Sequence, residues 1–97
     1  MRIIAKRTLR EFWILYPDAE QPLMAWYRAV KRANWATPAE IKAQYRNASL
    51  VGNERVVFNI SGNKYRLIVA INYAFQAIYI RFVGTHNQYD QIDAREV

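Results

Sequence analysis

Lys64-Tyr65-Arg66-Leu67-Ile68-Val69-Ala70-Ile71-Asn72 decides the fold. Tyr65, Leu67, Val69 and Ile71 alternate with Lys64, Arg66, Ile68 and Ala70, the period of a β-strand with one face turned to a core. Burial alone would have put Val or Leu where Lys64 and Arg66 stand. Upstream, the turn Ser61-Gly62-Asn63 leads back to a strand over Arg55–Ile60 that sets Val56, Phe58 and Ile60 on one face. Downstream, a loop at 73–76 leads to a strand over 77–83, with Ile78, Ile80 and Phe82 on one side and Tyr79, Arg81 and Val83 on the other. Gly84 ends that strand. Connections this short imply antiparallel pairing.

The N-terminal half reads differently. Residues 1–4 form a short first strand. Leu9, Phe12, Trp13 and Tyr16 then fall at i, i+3, i+4 and i+7, an amphipathic helix stopped before Pro17. Asp18 is placed to cap a second helix, with Gln21 at its N3 position and Pro22 still in the first turn. Leu23, Trp26, Tyr27 and Val30 repeat the spacing, while Arg28, Lys31 and Arg32 lie toward the other face. Thr37-Pro38-Ala39-Glu40 has the form of a capping box with Pro at N1, opening a short third helix that carries Ile41 and Tyr45. Residues 89–94 form a short final helix. The chain shows no repeat, linker or low-complexity segment, so the reading is one domain over 1–97.

The architecture expected is α+β, in the order β-α-α-(α)-β-β-β-short α. A small antiparallel sheet carries two to three N-terminal helices on one face. Trp13, Trp26 and Tyr27 cover the apolar strand face, leaving Lys64, Arg66, Tyr79 and Arg81 on the opposite one.

Composition narrows the function. The chain has 97 residues, 53% of them hydrophobic, including three Trp, seven Tyr and four Phe, which is ample apolar surface for a folded core. No run of eighteen apolar residues spans a membrane, and the first residues lack the apolar centre of an export signal. There is no cysteine, hence no disulfide or thiolate chemistry, and an unstapled domain without an export signal is expected in the cytoplasm. Fourteen basic residues against eight acidic ones give a net charge of +6, pointing to an anionic partner. Ten of the fourteen are arginine, the residue suited to planar, bidentate phosphate contact.

Lys64, Arg66 and Arg81 become neighbours if their strands pair, and together they would clamp a phosphate and stabilise a pentavalent phosphorane. His86 is the only imidazole, suited to proton transfer near neutrality. It follows the Arg81 strand and precedes Tyr89-Asp90, which could orient it, share its proton or touch a ribose hydroxyl. Tyr89 could equally be a core aromatic, and Asp90 a helix cap. One histidine and no cysteine give no zinc constellation, the three glycines form no phosphate loop, and the carboxylates form no metal cluster. Phosphodiester cleavage here would use neither metal nor cofactor, a route open to RNA because its own 2′-hydroxyl can attack.

Val57 to Val69, Ile80-Arg81-Phe82-Val83-Gly84-Thr85-His86 and Tyr89-Asp90 together resemble the HigB-type toxins of bacterial type II toxin–antitoxin modules. The opening Met1-Arg2-Ile3-Ile4 fits as well. The chain departs from that pattern at Gln88, where an acidic residue is expected. The resemblance implies a RelE-like fold and an mRNA interferase that cuts mRNA during translation, in the ribosomal A site. It implies a cognate HigA-type helix-turn-helix antitoxin as partner, with operator DNA reached only through the toxin–antitoxin complex. The catalytic positions it implies are Lys64, Arg66, Arg81, His86, Tyr89 and Asp90. RNA is expected to cross Lys64, Arg66, Tyr79 and Arg81. In this reading His86 or Tyr89 deprotonates the 2′-hydroxyl, Arg66 and Arg81 stabilise the phosphorane, and Lys64 or Arg81 assists the leaving 5′-oxygen. Arg2, Lys6, Arg7 and Arg10, with Arg28, Lys31 and Arg32, would contact ribosomal RNA. A non-catalytic RNA- or ribosome-binding module, or a corepressor subunit held by the antitoxin, is the alternative.

Overall fold

A computed structural model describes all of residues 1–97. The elements run β1 (Arg2–Ile4), α1 (Lys6–Leu15), a 3₁₀ turn (Pro17–Ala19), α2 (Glu20–Arg32), α3 (Pro38–Gln44), β2 (Ser49–Gly52), β3 (Arg55–Ile60), β4 (Tyr65–Asn72), β5 (Ala77–Thr85) and α4 (His86–Tyr89). One five-stranded sheet has the order β1-β5-β4-β3-β2. The α+β class and the helices on one face are as the sequence predicts. The sheet is larger than the expected meander: β2 adds a fourth antiparallel strand along β3, and β1 lies parallel to β5, with Ile3 opposite Ile78.

The core lies between the helices and one face of the sheet. Leu9, Phe12, Leu23, Trp26 and Val30 meet Val56, Phe58, Ile60, Tyr65, Leu67, Val69 and Ile71. Each such large apolar side chain contributes about 1.5–3 kcal/mol on burial. Phe58 is the aromatic centre, with ring centroids of Tyr45 at 5.2 Å, Trp26 at 5.4 Å and Trp35 at 6.3 Å. The Met1 ammonium donates to the carbonyls of Val30, Lys31 and Ala33 at 3.3, 2.9 and 2.6 Å, positive charge placed at the carbonyl end of α2.

Four local expectations are corrected. Asp18 does not cap α2. Pro17 opens a 3₁₀ turn, α2 starts at Glu20 without a side-chain cap, and the Asp18 carboxylate instead takes bonds from the Lys64 ammonium and the Tyr65 hydroxyl. At α3, Pro38 does hold N1, but Thr37 does not cap. Glu40 Oε1 accepts from the Ala36 N–H at 3.2 Å and the Thr37 hydroxyl at 3.4 Å. At the C-terminal end Gly84 does not stop the strand, which continues to Thr85, and the final helix spans His86–Tyr89 rather than 89–94.

The fourth correction sets the site. The β4–β5 ladder pairs Ile68 with Phe82 but Val69 with Ile80. Arg81 is therefore the extra residue of a β-bulge, and the alternation changes phase there. Ile78, Ile80 and Val83 lie on the core side, whereas Phe82 joins Tyr79 on the outer side, the reverse of what unbroken period-2 alternation assigns to Phe82 and Val83. The centre of the outer face is apolar and closed: Val57, Ile68 and Ala70 are buried. The chain beyond α4 runs back across this side, where Asn53 Nδ2 donates to the Arg95 carbonyl and Arg55 Nε to that of Val97, each at 3.0 Å.

Candidate active site

The outer face opens at the end of the sheet where β4 begins and β5 ends. There Arg66 stands opposite Gly84, and α4 starts two residues after that glycine. The short helix is fixed by a capping box that Thr-x-x-Gln at 85–88 encodes. The Gln88 N–H donates to Thr85 Oγ1 at 3.1 Å, and the Thr85 N–H to Gln88 Oε1 at 2.9 Å. A Cβ on Gly84 would lie 2.5 Å from Phe82 Cζ and 2.8 Å from Gln88 Oε1. Absence of a side chain at position 84 lets the Phe82 ring and the Gln88 amide meet over the backbone. Gln88, the departure from the expected acidic residue, thus has a structural task that Glu shares.

Arg66 is the single charged residue that is buried, 9% exposed. Its Nη1 donates to the carbonyls of Asn63 at 3.0 Å and Tyr65 at 3.4 Å, and its Nη2 to Asn63 Oδ1 at 3.1 Å. Its Cζ lies 5.7 Å from the centre of the Tyr89 ring. No carboxylate pairs with it. A buried guanidinium compensated only by neutral oxygens and a π face keeps most of its attraction for an anion. One turn along α4, His86 Nδ1 lies 3.1 Å from Asp90 Oδ2, both side chains about half exposed. Asp90 therefore orients the imidazole as well as standing at the end of α4, and Tyr89 faces Arg66 rather than the main core.

Arg81 and Tyr79 lie further along β5. Arg81 is exposed at the bulge, its Cζ 5.8 Å from the Tyr79 ring centre. Gly84 is three residues on, roughly 10 Å at ~3.3 Å per residue. The outer side thus carries two arginine–tyrosine pairs, Arg66 with Tyr89 and Arg81 with Tyr79, and the His86–Asp90 pair at one end.

Lys64 does not join them. Asp18 on the helical side takes its ammonium. The Lys64 and Tyr65 hydrogen bonds hold the Asp18 carboxyl below its ordinary range, and Asp18 holds Lys64 above its own. The pair lies at the surface, with both side chains about half exposed, and turns the Lys64 ammonium toward Asp18. The basic helix residues are separate too, because α1 and α2 pack on the opposite face of the sheet from Arg66. Lys6 and Lys31 flank the Tyr27 ring at 4.5 and 5.8 Å, and Arg7 pairs with Glu11 at 3.1 Å. Arg2, Arg10, Arg28 and Arg32 are exposed. The two largest hollows, of about 300 and 350 Å³, adjoin Tyr45 and Asn59 and include none of the candidate residues. The candidate site is an open surface, a shape suited to a polymer rather than an engulfed small molecule.

The family described as HigB_toxin, RelE-like toxic component of a toxin-antitoxin system, matches residues 19–92 of this sequence. The chain belongs to the HigB toxin family. The matched segment contains Lys64, Arg66, Tyr79, Arg81, His86, Tyr89 and Asp90, and leaves out Arg2, Lys6, Arg7 and Arg10. The chain is also similar to the mRNA interferase HigB of Escherichia coli O6:H1, 28% identical over 94 residues, covering 95% of this chain and 91% of the relative. It is 27% identical over 92 residues to the mRNA interferase toxin HigB of Escherichia coli K12, covering 93% and 88%. The mRNA interferase HigB of Shigella flexneri matches to the same extent. Within this HigB-family chain, residues that attention to basic and titratable side chains passes over are Asn63, Gly84 and Gln88. The Thr85–Gln88 spacing was legible as a capping box. Nothing local marks Asn63 as the partner of Arg66.

Proposed function

We propose that this HigB-family protein is the toxin of a toxin–antitoxin pair and acts as an mRNA interferase, an endoribonuclease that cuts translated mRNA in the ribosomal A site and arrests growth. The observation that carries the reading is Arg66: a buried guanidinium with no carboxylate, beside a tyrosine ring, at the foot of a helix bearing the one histidine. The names of the relatives support the same activity.

RNA lies across the outer edge of β4 and β5, with Arg66 and Arg81 on phosphates and bases stacked on Tyr79 or Tyr89. Asp90 accepts the His86 Nδ1–H and leaves Nε2 as the base that takes the proton of the 2′-hydroxyl. The 2′-oxygen forms a bond to phosphorus, the bond from phosphorus to the 5′-oxygen breaks, and Arg66 and Arg81 offset the charge of the phosphorane between these steps. The leaving oxygen takes a proton from Tyr89 or water, giving a 2′,3′-cyclic phosphate and a 5′-hydroxyl. Because the substrate supplies its own nucleophile, the route uses no metal or cofactor. Lys64, paired with Asp18, supports the fold rather than the chemistry. Exposed basic residues of α1 and α2 contact ribosomal RNA, and a HigA-type antitoxin in the cytoplasm restrains the toxin and carries it to operator DNA.

Expression of the chain alone in bacteria, with mapping of mRNA 5′ ends, tests this. Growth arrest and new 5′-hydroxyl ends are expected, and Arg66→Ala, Arg81→Ala or His86→Ala should abolish both while the purified proteins stay folded. Cleavage that survives all three changes overturns the site. Arrest without cleavage favours a non-catalytic ribosome-binding module, and absence of both a corepressor subunit.

A further inference from the structure

We propose that Asn63 is the positioning residue of the anion site: it holds one edge of the Arg66 guanidinium and so presents the other edge, Nε–H with the second Nη2–H, to the scissile phosphate. This rests on the endoribonuclease reading above and adds a residue to it.

A guanidinium has five N–H donors in a rigid planar fork. The main-chain and side-chain oxygens of Asn63 take one N–H from each terminal nitrogen, at 3.0 and 3.1 Å, and the Tyr65 carbonyl takes a longer third at 3.4 Å. The end of the fork is therefore occupied. Its side edge is free, and two parallel N–H groups there match two phosphate oxygens. Nε has no partner within the chain, yet it is not sealed: the buried polar side-chain atoms without a partner are Trp26 Nε1 and Gln76 Oε1. With the plane of the fork gripped at its end and the Tyr89 ring beside it, little reorganisation is left for substrate binding.

Two features separate this role from that of an ordinary turn residue. The turn obtains its left-handed backbone from Ser61 and Gly62, at φ 55° and 66°, and closes through the Lys64 N–H to the Ser61 carbonyl at 3.3 Å. The turn itself makes no use of the Asn63 side chain. The acceptor is also neutral. An aspartate here would bind the same nitrogen but add a charge that competes with phosphate.

The test is cleavage of an mRNA held on translating ribosomes by the wild type, Asn63→Ala, Asn63→Asp and Arg66→Ala, with the thermal midpoint of each. Asn63→Ala should lower kcat/KM at least tenfold. Asn63→Asp should keep or raise the thermal midpoint, through its new ion pair, while raising KM at least tenfold. Opposite movement of stability and affinity is what a merely structural asparagine would not produce. If Arg66→Ala is inactive while both Asn63 variants stay within twofold of wild-type kcat/KM, the role of Asn63 is overturned and the site stands. If Asn63→Asp loses as much stability as Asn63→Ala, the role is overturned as well. If Arg66→Ala cleaves normally, the reading beneath both falls.

Discussion

Asp18 and Lys64, forty-six residues apart, form an ion pair that ties the turn between the first two helices to the start of β4. The Tyr65 hydroxyl bonds to the same carboxylate. The pair explains why a lysine at the entrance of a strand need not belong to the site that its neighbour Arg66 forms. It also gives stability a defined acid dependence. Asp18 in the folded chain lies below its ordinary 3.8, chiefly through the bond from Lys64 and next through that from Tyr65. A depressed carboxyl stabilises the fold above its unfolded value, and the contribution is lost as pH falls through the folded one. Asp18→Asn should therefore lower the thermal midpoint near neutrality, and the gap from wild type should close in acid. A gap of equal size at about pH 7 and about pH 2 would sink the assignment.

Removing the ammonium should separate stability from chemistry. Lys64→Ala leaves Asp18 without its charged partner but leaves Arg66, Arg81 and His86 in place. Cleavage should stay within about threefold of wild type while Arg66→Ala loses it. Comparable losses in both variants would return Lys64 to the catalytic set.

Gly84→Ala brings a methyl group to within 2.5 Å of the Phe82 ring and 2.8 Å of the Gln88 amide. The backbone there is open to any residue, so the cost is crowding alone, about 1–2 kcal/mol of stability. Both neighbours must move, and α4 carries His86 and Tyr89 with it. A larger fractional loss of cleavage than of folded protein is expected from denaturant titration and end mapping on one preparation.

Gln88→Ala removes the side-chain half of the capping box and should cost about 1 kcal/mol. Gln88→Glu keeps an acceptor for the Thr85 N–H, adds negative charge at a helix N-terminus, and should match or exceed the wild type. Amide hydrogen exchange at Thr85 reads this directly, with faster exchange only in the alanine variant.

Arg81→Ala should leave stability within about 0.5 kcal/mol, as an exposed side chain that pairs only with the Tyr79 ring has little to lose. Its effect on cleavage should be large. A marked drop in stability would show that the bulge depends on the arginine itself.

Much of this arrangement was readable in the chain. The alternation from Tyr65 to Ile71 gave the central strand, and the spacing of Leu9, Phe12, Leu23, Trp26 and Val30 the helix faces that cover it. The bulge was not readable. One inserted residue shifts the phase of everything after it, and nothing about the residue type of Arg81 marks it as the extra one, so unbroken alternation puts Phe82 and Val83 on each other's faces. β2 escaped because Ser49–Gly52 is a four-residue edge strand with little apolar signal. The local preference of Asp18 is to cap a helix, whereas its partner lies across the fold. Arg66 with Tyr89 was nearer to hand: the family resemblance named both residues, although only the three-dimensional register brings the ring to the guanidinium.

The parallel pairing of β1 with β5 has a consequence for synthesis. Ile3 leaves the ribosome well before Ile78, which it meets on the strand that carries Tyr79 and Arg81. Contacts so distant in sequence form late, because loop closure must precede them. Until β5 has emerged, the sheet lacks both its parallel edge and the backbone opposite Arg66. A nascent chain of this toxin thus lacks its assembled site, and an antitoxin already present has the whole of that interval in which to arrive.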